Sequence, residues 1–254
     1  MSDSVGIARE GEIAILSLDR PEKLNAITTE LRTAFIEAMA ELAADDDIAA
    51  VVLTGVGRAF SAGQDLSQAV AFGPDDVAEQ SALALRFFNT VRHLEKPCVV
   101  ALNGIAAGAG FQLALMADLR IAHAGVRMGQ PEVKAGLPSV IGSAIMAWYL
   151  GQAANVELSL TGRFLTAEEA RHLGLISEIV PEAEVLATAV AKARELTQLP
   201  PLAFRLTKRA FAEATDAALE AAIRKATAMQ REAYASGEPT RVMTAFLESR
   251  AKKI

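Results

Sequence analysis

Two long runs of this chain, residues 97–117 and 135–156, contain no charged side chain. Each is about long enough to cross a bilayer as a helix. However, Asn103, Gly104, Gly108 and Gly110 interrupt the first, and Gly136, Pro138, Ser139, Gly142, Gly151 and Gln152 interrupt the second. A spanning helix gains nothing from such breaks, whereas short buried elements joined by tight turns require them. Both runs therefore read as protein core, and any fold must cover them on all sides.

The flanking sequence supplies the cover. "IAILSLDRP" (13–21) reads as a strand ending at a proline, "AAVVLTG" (49–55) as a buried strand, "KPCVVALNG" (96–104) as another and "LRIAHA" (119–124) as a further one. Between them, 28–44 places Leu31, Phe35, Met39 and Leu42 at helical spacing, and 75–95 is helical again. Continuous apolar strands alternating with helices point to an α/β fold with parallel strands buried on both faces. Further on, "TAEE" (166–169) is a capping box whose helix closes at Gly174 before the short strand "ISEIVP". From Glu182 the pattern is almost wholly helical, with breaks at "LPP" (199–201) and "SGEP" (236–239). No internal sequence repeat or low-complexity tract is visible.

Composition removes several function classes. With 254 residues, 52% hydrophobic and 22% charged, the chain suits one large domain, or one with an appendage. The net charge of −6, without a basic stripe, argues against a nucleic-acid partner. It leaves open an anionic small ligand held by a few local cations. A single cysteine, Cys98, rules out an intrachain disulfide. His93, His123 and His172 show no metal-ligand spacing with it, so no metal is expected. "MSDSVGIARE" has neither the basic start nor the apolar run of a signal peptide, and the location expected by default is cytoplasmic.

Three stretches can carry chemistry. In "VLTGVGRAFSAGQDL", Gly55-Val56-Gly57 after a strand suggests a dinucleotide turn, but Phe60 stands where the third glycine belongs. Ser61 in "AFSAG" lacks the first glycine of a nucleophile elbow. In "NGIAAGAGFQLALMAD", small residues let the backbone approach a ligand. A helix starting near Gly108 would there present unpaired amides, suited to an anion or a developing oxyanion; close helix–strand packing explains the same residues. In "MGQPEVKAGLPSVIG", Glu132 stands before a nearly uncharged segment, where apolar walls would raise its pKa and make it a usable base.

In order and spacing, these segments resemble the enoyl-CoA hydratase/isomerase (crotonase) superfamily over essentially the whole chain. The resemblance is carried by "LDRPEKLNAI" (18–27), "GRAFSAGQDL" (57–66), "NGIAAGAGFQLALMADLRIA" (103–122), "GQPEVKAGLPS" (129–139) and "LTGRFLTAEEARHLGLISEIVP" (160–181). It implies a spiral of ββα units over 1–195 containing the site, and a helical region over 196–254 for oligomerisation as a trimer or a dimer of trimers. It further implies an acyl-CoA thioester substrate, with coenzyme A belonging to the substrate and no separate cofactor. Backbone N–H groups that stabilise a thioester enolate fall on Gln64 and Ala109. Lys23, Leu24, Arg58, Ala62 and Gly108 fall where the substrate and its coenzyme A are held, while Arg250 and Lys252 are candidates to reach a neighbouring subunit's phosphates.

One position departs from the pattern. Hydratases of this family carry a glutamate on the helix after the second oxyanion donor and another after the "QP" pair. Here the second is Glu132, but the first is Gln112. An amide can orient water or substrate but cannot exchange a proton near neutral pH. A single carboxylate suffices to move a double bond, so isomerisation is favoured over efficient hydration. The alternatives are a slow or specialised hydratase, a non-catalytic acyl-CoA binder, or a nicotinamide-dependent oxidoreductase built on Gly55-Val56-Gly57.

Overall fold

The computed structural model describes residues 4–251. Strand β1 (Val5–Glu10) forms an antiparallel hairpin with β2 (Ile13–Leu18), and β2 pairs in parallel with β3 (Ala50–Gly55). Parallel pairing continues through β5 (Cys98–Leu102), β7 (Leu119–Ala122) and β10 (Glu178–Ile179), giving a six-stranded sheet ordered β1-β2-β3-β5-β7-β10. A second sheet of short strands is ordered β4 (Ala59–Ser61), β6 (Ile105–Ala107), β8 (Arg127–Gly129) and β9 (Phe164–Thr166), parallel except for β9.

The two sheets are wound from one repeated move. A long strand enters the first sheet, a link of two to four residues turns the chain, a short strand enters the second sheet, and a helix returns. β3–β4 is followed by α2 (Leu66–Ala69) and α3 (Val77–Arg92), and β5–β6 by α4 (Ala109–Met116). β7–β8 is followed by a 3-10 turn (Glu132–Ala135) and α5 (Val140–Met146). The opening turn repeats this with β2, a parallel bridge from Ile27 to Gln64, and α1 (Thr29–Ala44). This is the expected mixed α/β spiral. The strand expected to run to Pro21 stops at Leu18 because a 3-10 turn starts at that proline, which has no N–H for the ladder.

The first uncharged run is buried, as its patterning requires; the second, also expected as core, is only partly covered, with Leu137, Ile145, Met146 and Leu150 buried but Ala147, Gly151, Gln152, Ala153 and Val156 exposed. The first becomes β5, β6 and α4; the second becomes the end of the 3-10 turn, α5 and the start of α6 (Gln152–Thr161). Among the described residues, no helix is long and apolar enough to cross a membrane. β3 and β5 are buried along their entire lengths because each face meets a different layer. Ala50, Val52, Val99 and Ala101 point to α8 (Val185–Thr197), which contributes Val185, Ala189, Val190 and Ala193. Val51, Leu53, Val100 and Leu102 point to the main core with Phe35, Phe87, Phe88 and Phe111. Period-two alternation thus serves two cores at once.

The capping box forms at α7 (Ala167–His172): Thr166 Oγ1 accepts from the Glu169 N–H at 3.2 Å, and Glu169 accepts from the Thr166 N–H at 2.8 Å. The last two helices, α9 (Pro201–Ala235) and α10 (Glu238–Ala251), lie on this same protomer. α9 packs on α3 and α5, and its Leu219 and Ile223 belong to the main core. Buried Arg92 donates to the Ala212 carbonyl at 2.7 Å and pairs with Asp216 at 3.0 Å, and Lys208 pairs with Asp118 at 2.8 Å. α10 turns back over α2 and the 3-10 turn, where Ala69, Val77, Leu137, Tyr234 and Met243 form a small separate core.

Because Leu219 lies in the main core, Leu219→Ala is expected to destabilise the whole chain by about 2–5 kcal/mol. In urea, Trp148 fluorescence and far-ultraviolet dichroism should move together in one transition. Two separated transitions would show that α9 folds apart from the spiral.

Candidate active site

The loop joining β4 to α2 is pinned by polar side chains from the opening motif. Leu24 and Asn25 adopt left-handed backbone angles, φ 52° and 54°, which turn the Asn25 side chain inward. Its Nδ2 donates to the carbonyls of Val56 (3.0 Å) and Ala59 (2.7 Å), and its Oδ1 accepts from the Arg20 N–H at 2.9 Å. Asn103, between β5 and β6, donates to the Gly55 and Gly57 carbonyls at 2.7 and 2.8 Å. Arg20 donates to the Ala26 carbonyl at 2.6 Å and pairs with Asp65 at 2.9 Å, while Ser61 Oγ donates to the Asn25 carbonyl at 2.8 Å. The Gly55-Val56-Gly57 turn is therefore packed against protein: a Cβ at Gly55 would lie 2.5 Å from Asn25 Nδ2.

This scaffold brings four of the sequence-predicted residues to one rim. The Ala62 N–H donates to the Leu24 carbonyl at 2.8 Å, and a Cβ at Gly57 would lie 3.1 Å from Pro21 Cβ. Lys23 and Arg58 are exposed there, and among the described residues neither forms an ion pair.

Behind the rim, two loops abut. Gly63, at φ +85°, has space only for hydrogen: a Cβ would lie 2.5 Å from the Ala107 carbonyl oxygen and 3.4 Å from the Ala109 nitrogen. Ile27 donates to the Gly63 carbonyl at 2.7 Å and accepts from the Asp65 N–H at 2.9 Å, holding Gln64 between two fixed bonds. Gly108, at φ +49°, caps α4, so Ala109 is the first helical residue and its N–H precedes the intrahelical ladder. Among the described residues, neither the Gln64 N–H nor the Ala109 N–H donates to an acceptor.

Glu132 lies directly over this point. A Cβ at Gly108 would come within 3.2 Å of Glu132 Oε1. Gln112, buried one turn into α4, donates through Nε2 to Glu132 Oε1 at 3.0 Å. Fully buried Gln130 also holds its amide 2.5 and 2.7 Å from the two Glu132 carboxyl oxygens. Glu132 keeps some surface open, yet burial of its carboxyl raises the pKa from 4.5 to about 7, against smaller lowering by its own backbone and by Gln112. No charged neighbour contributes to that shift.

Sequence reasoning passed over Asn25, Asn103, Gln130 and the Arg20–Asp65 pair. The available signal was their amide and charged side chains inside otherwise apolar or glycine-rich segments, where each must find a partner. Arg250 stacks over Phe246 at 5.2 Å within α10, and Lys252 lies outside the described residues. Among the described residues, no cluster of three or more His, Cys, Asp or Glu is placed to hold a metal.

The sequence model of the enoyl-CoA hydratase/isomerase family matches residues 8–253. The chain belongs to the enoyl-CoA hydratase/isomerase family. It is 33% identical to "Probable enoyl-CoA hydratase echA8" of Mycobacterium bovis, over 98% of this chain and 96% of that protein. It is 30% identical to the short-chain-enoyl-CoA hydratase of Clostridium acetobutylicum, again over 98% and 96%. An enoyl-CoA hydratase/isomerase crystal structure from Mycobacterium paratuberculosis superposes with a TM-score of 0.88 at 25% identity, covering 96% of this chain and 99% of that one. This chain is accordingly a family enzyme acting on CoA thioesters.

The raised pKa of Glu132 carries a stability consequence. Its folded pKa exceeds the ordinary 4.5, so the proton it binds favours folding below that value, and this contribution is lost as pH rises through about 7. Glu132→Gln, uncharged throughout, is expected to match the wild type near pH 4 and exceed it near pH 8 by about 3 kcal/mol. Urea midpoints across pH measure this; a wild type that gains stability over that range relative to the variant would contradict it.

Proposed function

We propose that this enzyme moves a carbon–carbon double bond along an acyl-CoA chain by proton transfer through one carboxylate, Glu132. The supporting observation is the pairing of Glu132 with a neutral partner: Gln112 Nε2 meets its Oε1 at 3.0 Å, where a second carboxylate would complete a hydratase pair. In the proposed reaction, a 3-enoyl thioester binds with its carbonyl oxygen on the Gln64 and Ala109 amides. Ionised Glu132 removes a proton from Cα, and the electron pair delocalises into a dienolate whose oxygen those amides hold. The same acid then returns the proton to Cγ, giving the conjugated 2-enoyl thioester. Donors of this kind are worth on the order of 10²–10³ each in rate, and a positioned general base about 10²–10⁴.

Hydration asks for more, because water must be activated while a proton reaches carbon. Gln112 can orient that water but cannot take its proton. Lys23 and Arg58 are proposed to meet the coenzyme A phosphates, with Leu24, Ala62 and Gly108 along its thioester arm. No cofactor beyond the substrate's own coenzyme A is needed for this chemistry. Exposed Leu199, just before α9, and exposed Leu202, Leu206 and Phe211 in its first turns suit an oligomer contact, in a trimer or a dimer of trimers. The names of the relatives favour a second reading, a slow or specialised hydratase; one of them, 29% identical, is the 2,3-dehydroadipyl-CoA hydratase of Escherichia coli.

Glu132→Gln is expected to abolish isomerisation of a 3-enoyl-CoA while acyl-CoA binding persists. For the wild type, kcat/KM should rise with pH to a plateau, with a midpoint near the raised pKa of about 7, because the base works ionised. Gln112→Glu is expected to gain hydratase activity on crotonyl-CoA by roughly 10²-fold or more. A wild type that hydrates crotonyl-CoA rapidly and does not isomerise would overturn the proposal. Binding without any turnover would favour a non-catalytic acyl-CoA binder.

A further inference from the structure

Arg32, in the first turn of α1, keeps 6% of its surface exposed, yet among the described residues it pairs with no carboxylate. Its guanidinium makes one contact, from Nη1 to Gln80 Oε1 on α3 at 3.4 Å. Nε is buried with no acceptor, and among the described residues Nη2 has none either. Nε and Nη2 share one edge of the planar fork, an edge that takes a carboxylate through two parallel N–H bonds. That edge is the one left without a protein partner.

A second orphan stands one residue from Gln80. The Ser81 hydroxyl, on a residue 4% exposed, also has no partner. Among the described residues four buried side-chain atoms lack partners, and two of them fall on Arg32 and on the residue beside its only contact. A polar cluster ties this place to the candidate site. Thr29 donates through its N–H and its hydroxyl to Gln68 Oε1 on α2, at 2.8 and 3.1 Å. The same hydroxyl lies 3.4 Å from Gln80 Oε1. Gln68 follows Gln64 by four residues.

The guanidinium stays charged at neutral pH, since burial lowers its pKa only to about 10, and no carboxylate contributes to that shift. The nearest acids along these helices stand at the surface: Glu30 is exposed and contacted by Gln68, and Glu79 is exposed. A buried charge without a counter-charge is costly, and the neutral Gln80 amide offsets only part of it. One positive charge among neutral groups matches a monoanion; a dianionic phosphate would leave net charge buried. We propose that Arg32 binds a carboxylate, seated side-on against Nε and Nη2 at the junction of α1 and α3. Two sources share this chemistry, a free carboxylic acid and a carboxylate at the far end of the acyl group. The inference does not rest on the isomerase reading.

The test compares the wild type with Arg32→Met, which keeps much of the side-chain length but removes the charge and its donors. At constant ionic strength, exchanging chloride for acetate or glutarate should raise the wild-type melting temperature. The expected rise is about 5 °C or more at hundredfold excess over Kd, with the variant unmoved. Thioesters of equal chain length, with and without a terminal carboxylate, separate the two sources. If the acyl group supplies the anion, Arg32→Met should lose about tenfold to hundredfold in kcat/KM on the carboxylated thioester alone. A melting response without that loss assigns the site to a free acid. A wild type that neither responds to carboxylates nor favours the carboxylated thioester would overturn the proposal, whether or not the variant folds. So would a folded variant that behaves as the wild type in both comparisons. If neither thioester turns over, the proposed function fails while the melting comparison still decides this inference.

Discussion

Two peptide N–H groups, at Gln64 and Ala109, have no acceptor among the described residues, and they set the terms for the rest of the structure. Free backbone donors are costly in a packed protein, and chains ordinarily satisfy them. Keeping two of them free, on loops from different spiral turns, requires that neither loop relax toward the other or toward its own carbonyls. Two asparagines, buried Asn25 and half-buried Asn103, hold the first loop in place. Asn25 and Asn103 occupy the carbonyls of 55–59, the Arg20–Asp65 pair closes the loop behind, and Ile27 fixes the peptides on both sides of Gln64.

The spiral explains why these loops meet. Each turn ends its short strand at the same edge of the second sheet, so the loop after β4 stacks beside the loop after β6, and the segment after β8 stacks beside that. Gln64 follows the first, Ala109 the second and Glu132 the third. Residues nearly 70 positions apart converge because the repeat is geometric. α4 needs its uncharged, all-round apolar sequence since it is enclosed by the next turn and by α3 and α5.

That repeat was not visible in the sequence, although its parts were. The long strands and α1 and α3 announce themselves through buried runs and 3.6-residue spacing. The short strands β4, β6, β8 and β9 do not, because three residues are too few for any period to register. The site divides the same way. Glu132 and Gln112 stand out as one acid in an uncharged neighbourhood and one amide where an acid is expected. Gln130 gave no such signal beside them, since what makes it consequential is its contact with Glu132, closed by tertiary packing.

An amide at Gln112, where the proposal would otherwise need an acid, bears on more than the count of proton carriers. Two carboxylates at this separation would raise one pKa by mutual repulsion and would share protons as a pair, with apparent values belonging to neither. Here the elevation of Glu132 has a different origin, desolvation by burial, which outweighs the lowering by its hydrogen bonds, with no charged partner involved. Such an elevation is local and little screened by salt, because nothing in it acts through solvent between charges. The proposed reaction would therefore have to ionise Glu132 against the burial that raises its pKa.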